Sequence, residues 1–202
     1  MTQDAWLNVA SWLPCTEAEG PGRRAALWVQ GCDKRCPGCC NPGMLQFTER
    51  ELLPAAEIVR RLSIARSTFD IEGVTFLGGE PMLQARGLAQ VALAARAMGL
   101  SVMVFTGYTL DELEAVQPVA WQDLLQVTDV LVDGPYLAQN PDRERRWIGS
   151  TNQGVHYLSN RYESSIERLP KAGRDVEMRF GLDGAVRING WPVRMIRPRK
   201  AL

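Results

Sequence analysis

The chain alternates short apolar runs with stretches whose apolar residues recur every three or four positions. Residues 7–15 read as a first strand region, and residues 25–29 (AALWV) form a compact run that stops at Gln30-Gly31. Leu53, Ala56, Ile58, Val59, Leu62 and Ile64 follow at helical spacing, with Pro54 suited to a first turn. Residues 73–77 (GVTFL) are β-branched and apolar, which predicts a strand punctuated by Gly78-Gly79. A helix is expected from near Pro81, carrying Leu83, Leu88, Val91, Leu93, Ala95 and Met98 until Gly99 stops it. Residues 101–106 (SVMVFT) predict another strand. Thr109 and Glu112 have capping-box spacing for a helix through Leu113, Pro118 breaks it, and a second piece runs near Trp121 to Gln126. Residues 129–132 (DVLV) predict a fourth strand ending at Asp133-Gly134-Pro135.

Strands alternating with helices imply βαβ units and a mainly parallel sheet with right-handed crossovers. Ligands gather at the carboxyl ends of such strands. The loop after residue 29, Gly78 to Pro81, Thr106-Gly107 and Asp133-Gly134 all fall at such ends, so four polar or glycine-rich elements are expected on one rim. After residue 135 the pattern changes: residues 141–147 (PDRERRW) are charged and loop-like, and residues 149–154 (GSTNQG) lack apolar periodicity. Residues 176–180 and 185–188 flank Gly181-Leu182-Asp183-Gly184, and Asn189-Gly190 is a two-residue hairpin signal. Short antiparallel strands are therefore expected at the C-terminus. We expect one domain over 1–202, with a core at about 20–135 and an extension with hairpins over 136–202.

Composition narrows the function classes. Among 202 residues, 23 basic side chains balance 23 acidic ones, which argues against a protein devoted to gripping nucleic-acid backbone. No apolar run reaches the roughly 18 residues of a membrane span. The N-terminal stretch lacks a basic region and is interrupted by Asn8, Ser11 and Pro14, unlike a secretory signal. A soluble cytoplasmic protein, with neither nucleic acid nor membrane as partner, is the expectation.

The cysteines change the picture. Four of the five, Cys32, Cys36, Cys39 and Cys40, fall within nine residues, and the odd total makes a poor disulfide framework. Crowded thiols in a cytosolic chain bind metal or carry redox chemistry. Cys32-x3-Cys36-x2-Cys39 places three soft ligands in one loop, and three thiolates on a cubane leave one iron open. Zinc is the competing metal, because Cys40 or the distant Cys15 could complete a tetrahedral set.

That cysteine spacing after one strand, with Gly78-Gly79-Glu80-Pro81 after the next, resembles the radical S-adenosylmethionine superfamily. The segments WVQGCDKRCPGCCNPGM (28–44), VFTGYTLDEL (104–113), DVLVDGPY (129–136) and GSTNQGVHYLS (149–159) are similar to the activating enzymes of anaerobic ribonucleotide reductase. The resemblance implies an α/β fold: a partial, open (βα) barrel of mainly parallel strands, with the cluster loop after an early strand. It implies a 4Fe–4S cluster on Cys32, Cys36 and Cys39, and S-adenosylmethionine chelated to the fourth iron. Gly38 and Cys40 would contact that cofactor, and the turn of Gly78, Gly79, Glu80 and Pro81 would meet its methionine end. Reductive cleavage would yield a 5′-deoxyadenosyl radical that takes hydrogen from a glycine of the partner reductase. No further catalytic side chain is implied, and a flavodoxin- or ferredoxin-type donor would supply electrons. A stand-alone radical enzyme acting on a small molecule or peptide is the alternative.

The sequence departs from the resembled pattern in three places. Cys40 stands where an aromatic residue is usual, and Ile148 and Gly154 stand at two arginine positions. The chain also carries extra length, including a basic end with Arg194, Arg197, Arg199 and Lys200. His156 reads as a strand residue with a satisfied hydrogen bond. Asp133 reads equally as a turn residue and as a cofactor or partner contact. The tryptophans read as packing residues.

Overall fold

The structure, a computed structural model, describes residues 4–115, 118–167, 175–181, 184 and 186–190. Its centre is a seven-stranded sheet built from β1 (Trp6–Thr16), β2 (Arg24–Val29), β3 (Glu51–Pro54), β4 (Gly73–Gly78), β5 (Ser101–Phe105), β6 (Val130–Asp133) and β7 (Gly154–Tyr157). The spatial order is β3-β1-β2-β4-β5-β6-β7, with β3 and β7 at the edges. Strands β2, β4, β5 and β6 are parallel, as the alternating pattern predicts. Antiparallel strands flank them: β1 pairs with both β2 and β3, and β7 pairs with β6. The basic end at Arg194, Arg197, Arg199 and Lys200 lies outside the described residues, as does Ala185.

Helices α1 (Ala55–Phe69), α2 (Ala85–Ala97), α3 (Leu110–Ala115) and α4 (Val119–Gln126) connect these strands. Period-two alternation divides each strand between two faces. Leu27, Val29, Val74, Phe76, Val102, Val104 and Leu131 meet Ile58, Leu62, Leu88, Val91 and Leu124 from the helices. The opposite face carries Ala26, Trp28 and Leu77 in one cluster and Met103, Val130 and Val132 in another, and among the described residues none of α1 to α4 contributes to either. All six residues of β2 are buried, the mark of a parallel strand covered on both sides.

Several local expectations need correction. Leu53 belongs to β3 and Pro54 is the residue capping α1, so α1 buries Ala55, Ile58, Leu62 and Ala65 while Ile64 faces solvent. Residues Pro81–Gln84 form a short 3-10 turn before α2, and Leu83 and Leu93 are exposed. In α1 the buried stripe keeps three- and four-residue steps, whereas α2 buries a wider face of Ala85, Gly87, Leu88, Val91, Ala92 and Ala95. A separate hairpin joins β8 (Val176–Phe180) to β9 (Val186–Gly190). Its turn falls at Gly181 and Gly184, whereas Asn189 and Gly190 are the last residues of β9, opposite Glu177 and Val176. Among the described residues, no helix is long and apolar enough to cross a membrane.

Candidate active site

The loop after β2 leaves the sheet under tight control. Gly31 N donates to Met44 O at 2.9 Å and Cys32 N to Leu45 O at 3.2 Å, so the loop returns to its own start. Gln30 Nε2 donates to Gln46 O at 2.6 Å, and Gln84 Nε2 donates to Gln30 O at 2.9 Å. The turn after β4 lies directly against this base. Gly79 N donates to Val29 O and Glu80 N to Gly31 O, both at 2.8 Å. A Cβ at Gly79 would lie 2.2 Å from Gly31 O, and Gly78 has φ +110° with Val29 N 2.7 Å from its would-be Cβ. The two glycines thus allow one backbone to approach another, where the sequence alone suggests approach to a ligand.

One cleft gathers the expected rim. Cys32, Cys36, Cys39 and Cys40 line it together with Gly78, Gly79, Glu80, Thr106, Gly107 and Gly134. It opens on the face of the sheet away from the main helices, where Leu77 and Phe105 form part of its wall. Of the predicted cofactor contacts, Cys40, Gly78, Gly79 and Glu80 line the cleft. Gly38 and Pro81 do not: Gly38 turns at φ +79° beside Ala138, and Pro81 is buried at the start of the 3-10 turn. Asp133 is also absent from the lining. Its carboxylate accepts Leu110 N at 2.6 Å and Gly154 N at 2.9 Å, so it braces α3 and β7.

All five thiols are free, and Cys15 packs against the main core away from the cleft. Cys15 therefore does not complete a metal set with the loop. The neighbouring Cys40 thiol and Asn41 N, which donates to Cys39 Sγ at 3.4 Å, lower the Cys39 pKa to about 6 against the opposing effect of burial. Cys40 is raised by the neighbouring Cys39 thiol, and burial raises Cys32. Among the described residues, no three His, Cys, Asp or Glu side chains converge on one point as a single ion requires. A cubane makes no such demand, because each thiolate binds its own iron. Three free thiols around one cleft, one of them readily ionised, suit that group.

Glu80 is the most constrained carboxylate of the site, at 1% exposed. Its Oε1 accepts Met82 N at 2.9 Å and Thr106 Oγ1 at 2.7 Å, and its Oε2 accepts Gly107 N at 2.8 Å. Burial pushes it up to about 7 despite those three donors. It joins the end of β4 to the end of β5. Beside it, Lys34 Nζ lies 3.7 Å over the Tyr108 ring and 3.3 Å from Glu112, while Tyr108 donates to Asp33.

Sequence reasoning missed Glu19, Phe105, Tyr136, Trp147 and Gln153, which also line the cleft. Trp147 departs from a plain packing role: its backbone is left-handed at φ 65°, and its Nε1 finds no partner among the described residues. Phe105 ends β5, while Glu19, Tyr136, Trp147 and Gln153 lie in loops without apolar periodicity, so nothing local marks them. His156 lies on β7 with Nε2 3.1 Å from Asp133 Oδ2, without the alignment of a hydrogen bond, so the expected satisfied bond is not made at that atom. Ile148 is fully buried with Met103, Val130 and Val132, and a Cβ at Gly154 would meet Asp133 Oδ1 at 2.5 Å. Neither position has room for a long basic side chain in this packing.

Comparison with known proteins adds to this geometry. A family model described as "4Fe-4S single cluster domain" matches residues 18–156, ending before β8. The anaerobic ribonucleoside-triphosphate reductase-activating protein of Escherichia coli K12 is 31% identical over 160 residues, covering 75% of this chain and 99% of its own. The protein of the same name from Salmonella typhi is 32% identical over 154 residues, covering 73% and 96%. That of Enterobacteria phage T4 is 29% identical over 152 residues, covering 73% and 92%. The solved structure of QueE from Escherichia coli aligns with 52% of this chain and 53% of its own at TM-score 0.42 and 15% identity, too distant to bear on the site. The chain belongs to the 4Fe-4S single cluster domain family and, within it, to the anaerobic ribonucleoside-triphosphate reductase-activating proteins, the radical S-adenosylmethionine activases that its motifs resemble.

Proposed function

We propose that this protein is a glycyl-radical activase whose 4Fe–4S cluster is held by Cys32, Cys36 and Cys39 and whose target is an anaerobic ribonucleoside-triphosphate reductase. The observation that supports it most is the meeting of those three cysteines with the Gly78-Gly79-Glu80 turn in one cleft, in a chain of this family. A cluster bound there would supply the electron for reductive cleavage of S-adenosylmethionine, the chemistry by which hydrogen would be taken from a glycine of the partner.

The chain's own residues position and shield that chemistry. Cys39, readily ionised, is prepared to ligate, and Asn41 N donates to its sulfur. Gly79 and Gly31 lock the two loops at a fixed separation. The Gly79-Glu80 turn would meet the ligand's methionine end and Cys40 another part of the cofactor, although Glu80 already accepts three protein donors. Leu77, Phe105 and Trp147 keep part of the wall dry. We read the whole chain as one radical domain on a partial, open barrel, working in the cytoplasm with a flavodoxin- or ferredoxin-type electron donor.

A second reading has a specific observation behind it. Tyr136, Trp147, Gly149, Gln153 and Gly190, all from the C-terminal extension, line the cleft, as a pocket for a small molecule would require. The deciding experiment incubates the reduced protein with S-adenosylmethionine and the reductase of its own organism, then records electron paramagnetic resonance. A glycine-centred doublet on the reductase supports the activase. Cofactor cleavage without any doublet favours the stand-alone enzyme.

A further inference from the structure

Besides Glu80, Glu19 is the one carboxylate among the described residues that lines the cleft. It follows β1, is 8% exposed, and belongs to no motif. Thr75 Oγ1 donates to its carbonyl oxygen at 2.8 Å, which places it beside the face of β4 that carries Leu77. Its Oε1 accepts Gly190 N at 2.7 Å and Asn189 Nδ2 at 3.3 Å. Both of those bonds fall on the same oxygen.

Glu19 has two hydrogen-bond donors and Arg179 at longer range, but no direct counterion among the described residues. No ion pair among the described residues includes it. Lys34 is the basic side chain lining the cleft, and its ammonium already lies on Glu112 and over Tyr108. The cleft therefore combines two buried carboxylates and a set of thiols with one engaged cation. A buried charge without a counterion is costly, and a positively charged ligand would relieve that cost. Glu80 is less suited to the task, because its two oxygens already accept three protein donors.

We propose that Glu19 makes the cleft select a cationic sulfonium ligand over the neutral thioether of the same nucleoside. This rests on the reading that S-adenosylmethionine binds here, and it assigns a specificity role to a residue outside the cysteine loop and the glycine turn. S-adenosylhomocysteine shares the base, ribose, ammonium and carboxylate but lacks the sulfonium's methyl group and charge, so the change in the affinity ratio when Glu19 loses its own charge reports the attraction to that charge. The attraction is strong only where the dielectric is low, as in a buried cleft.

The test is equilibrium dialysis of the cluster-loaded protein with each ligand. Glu19→Gln keeps a carbonyl oxygen able to accept from Gly190 N, so the β9 contact survives while the charge is lost. The variant should weaken S-adenosylmethionine binding by about five- to tenfold and leave S-adenosylhomocysteine unchanged. Glu19→Asp, which keeps the charge, should preserve most of the wild-type ratio. Equal weakening of both ligands by Glu19→Gln, or an unchanged ratio, overturns the assignment while leaving the activase reading intact. If the wild-type protein binds neither ligand, the activase reading falls and this assignment falls with it.

Discussion

Gly79 sits so close to Gly31 that a methyl group on the former would lie 2.2 Å from the carbonyl oxygen of the latter. Backbone, unlike the tip of a flexible side chain, cannot swing away. This contact, with Glu80 N donating to the same carbonyl, sets the cysteine loop against the turn after β4.

Gly79→Ala should therefore push the two loops apart, at a cost of about 2–3 kcal/mol for overpacking. For a chain of this size that lowers the thermal midpoint by roughly 5–10 °C. Iron content after reconstitution should fall with it. Gly43→Ala is the control, since nothing lies within 4 Å of its would-be Cβ, and it should behave as wild type. Equal midpoints for the two variants would show that the loops are not held by this contact.

Anaerobic reconstitution should yield about four irons and four sulfides per chain. Alanine at Cys32, Cys36 or Cys39 should abolish the visible absorption of the cluster. Cys15→Ala should keep it, because that thiol packs in the core. Cys40→Ala should also keep it, since Cys40 falls outside the Cys32-x3-Cys36-x2-Cys39 spacing. Loss of iron in Cys40→Ala would instead make Cys40 a ligand and sink the three-cysteine assignment.

Legibility in the sequence followed the range of the interactions. The capping box at Thr109 and Glu112 was readable because both of its bonds are local: Thr109 N to Glu112 Oε2 at 2.7 Å, and Glu112 N to Thr109 Oγ1 at 3.2 Å. The four parallel strands were readable because burial on both faces leaves unbroken apolar runs. Strand β3 was not, because it is four residues long and Leu52 is exposed. Asn189-Gly190 carried a turn signal, yet Gly190 uses its positive φ of 98° at the end of β9, where its N–H reaches Glu19. Glu19 itself was invisible, since its partners lie about 170 residues away in sequence. The shared rim was legible from topology alone, but the lining brought in by Tyr136, Trp147 and Gln153 depended on loops without periodicity.

Arg24, the first residue of β2, offers a test of the buried polar network at that end of the sheet. It is fully buried, and its guanidinium donates to Thr75 Oγ1 at 2.8 Å, Val74 O at 2.9 Å, and both Ser101 Oγ and Pro21 O at 3.0 Å. Those partners are hydroxyls and carbonyls, and burial lowers its pKa. A lysine ammonium cannot reach the same spread of acceptors from one point. Arg24→Lys should cost about 3 kcal/mol in urea unfolding, because a charge stays buried with fewer partners. Arg24→Met, which buries no charge, should cost less. The reverse order would mean that the ammonium finds adequate partners and that shape, rather than the fork of donors, matters here.

Glu80 should make the cluster-free protein more stable in mild acid. Its carboxyl is raised from 4.5 to about 7, chiefly by burial. Between those two values the folded chain holds a proton that the unfolded chain releases, so the folded state binds more protons and stability falls as pH rises. The contribution is fully present below about 4.5 and gone above about 7. At 1.36 kcal/mol per pH unit, the change across the window is about 3 kcal/mol. Glu80→Gln cannot titrate and sets an amide N–H against Gly107 N, so it should be less stable at pH 5 and lack this slope. Subtracting its urea-unfolding free energy from that of wild type at pH 5 and pH 8 removes the effect of every other carboxylate. The difference should favour wild type more at pH 5 than at pH 8. A difference that grows toward pH 8 would mean that Glu80 is ionised in the fold, with its three donors outweighing burial.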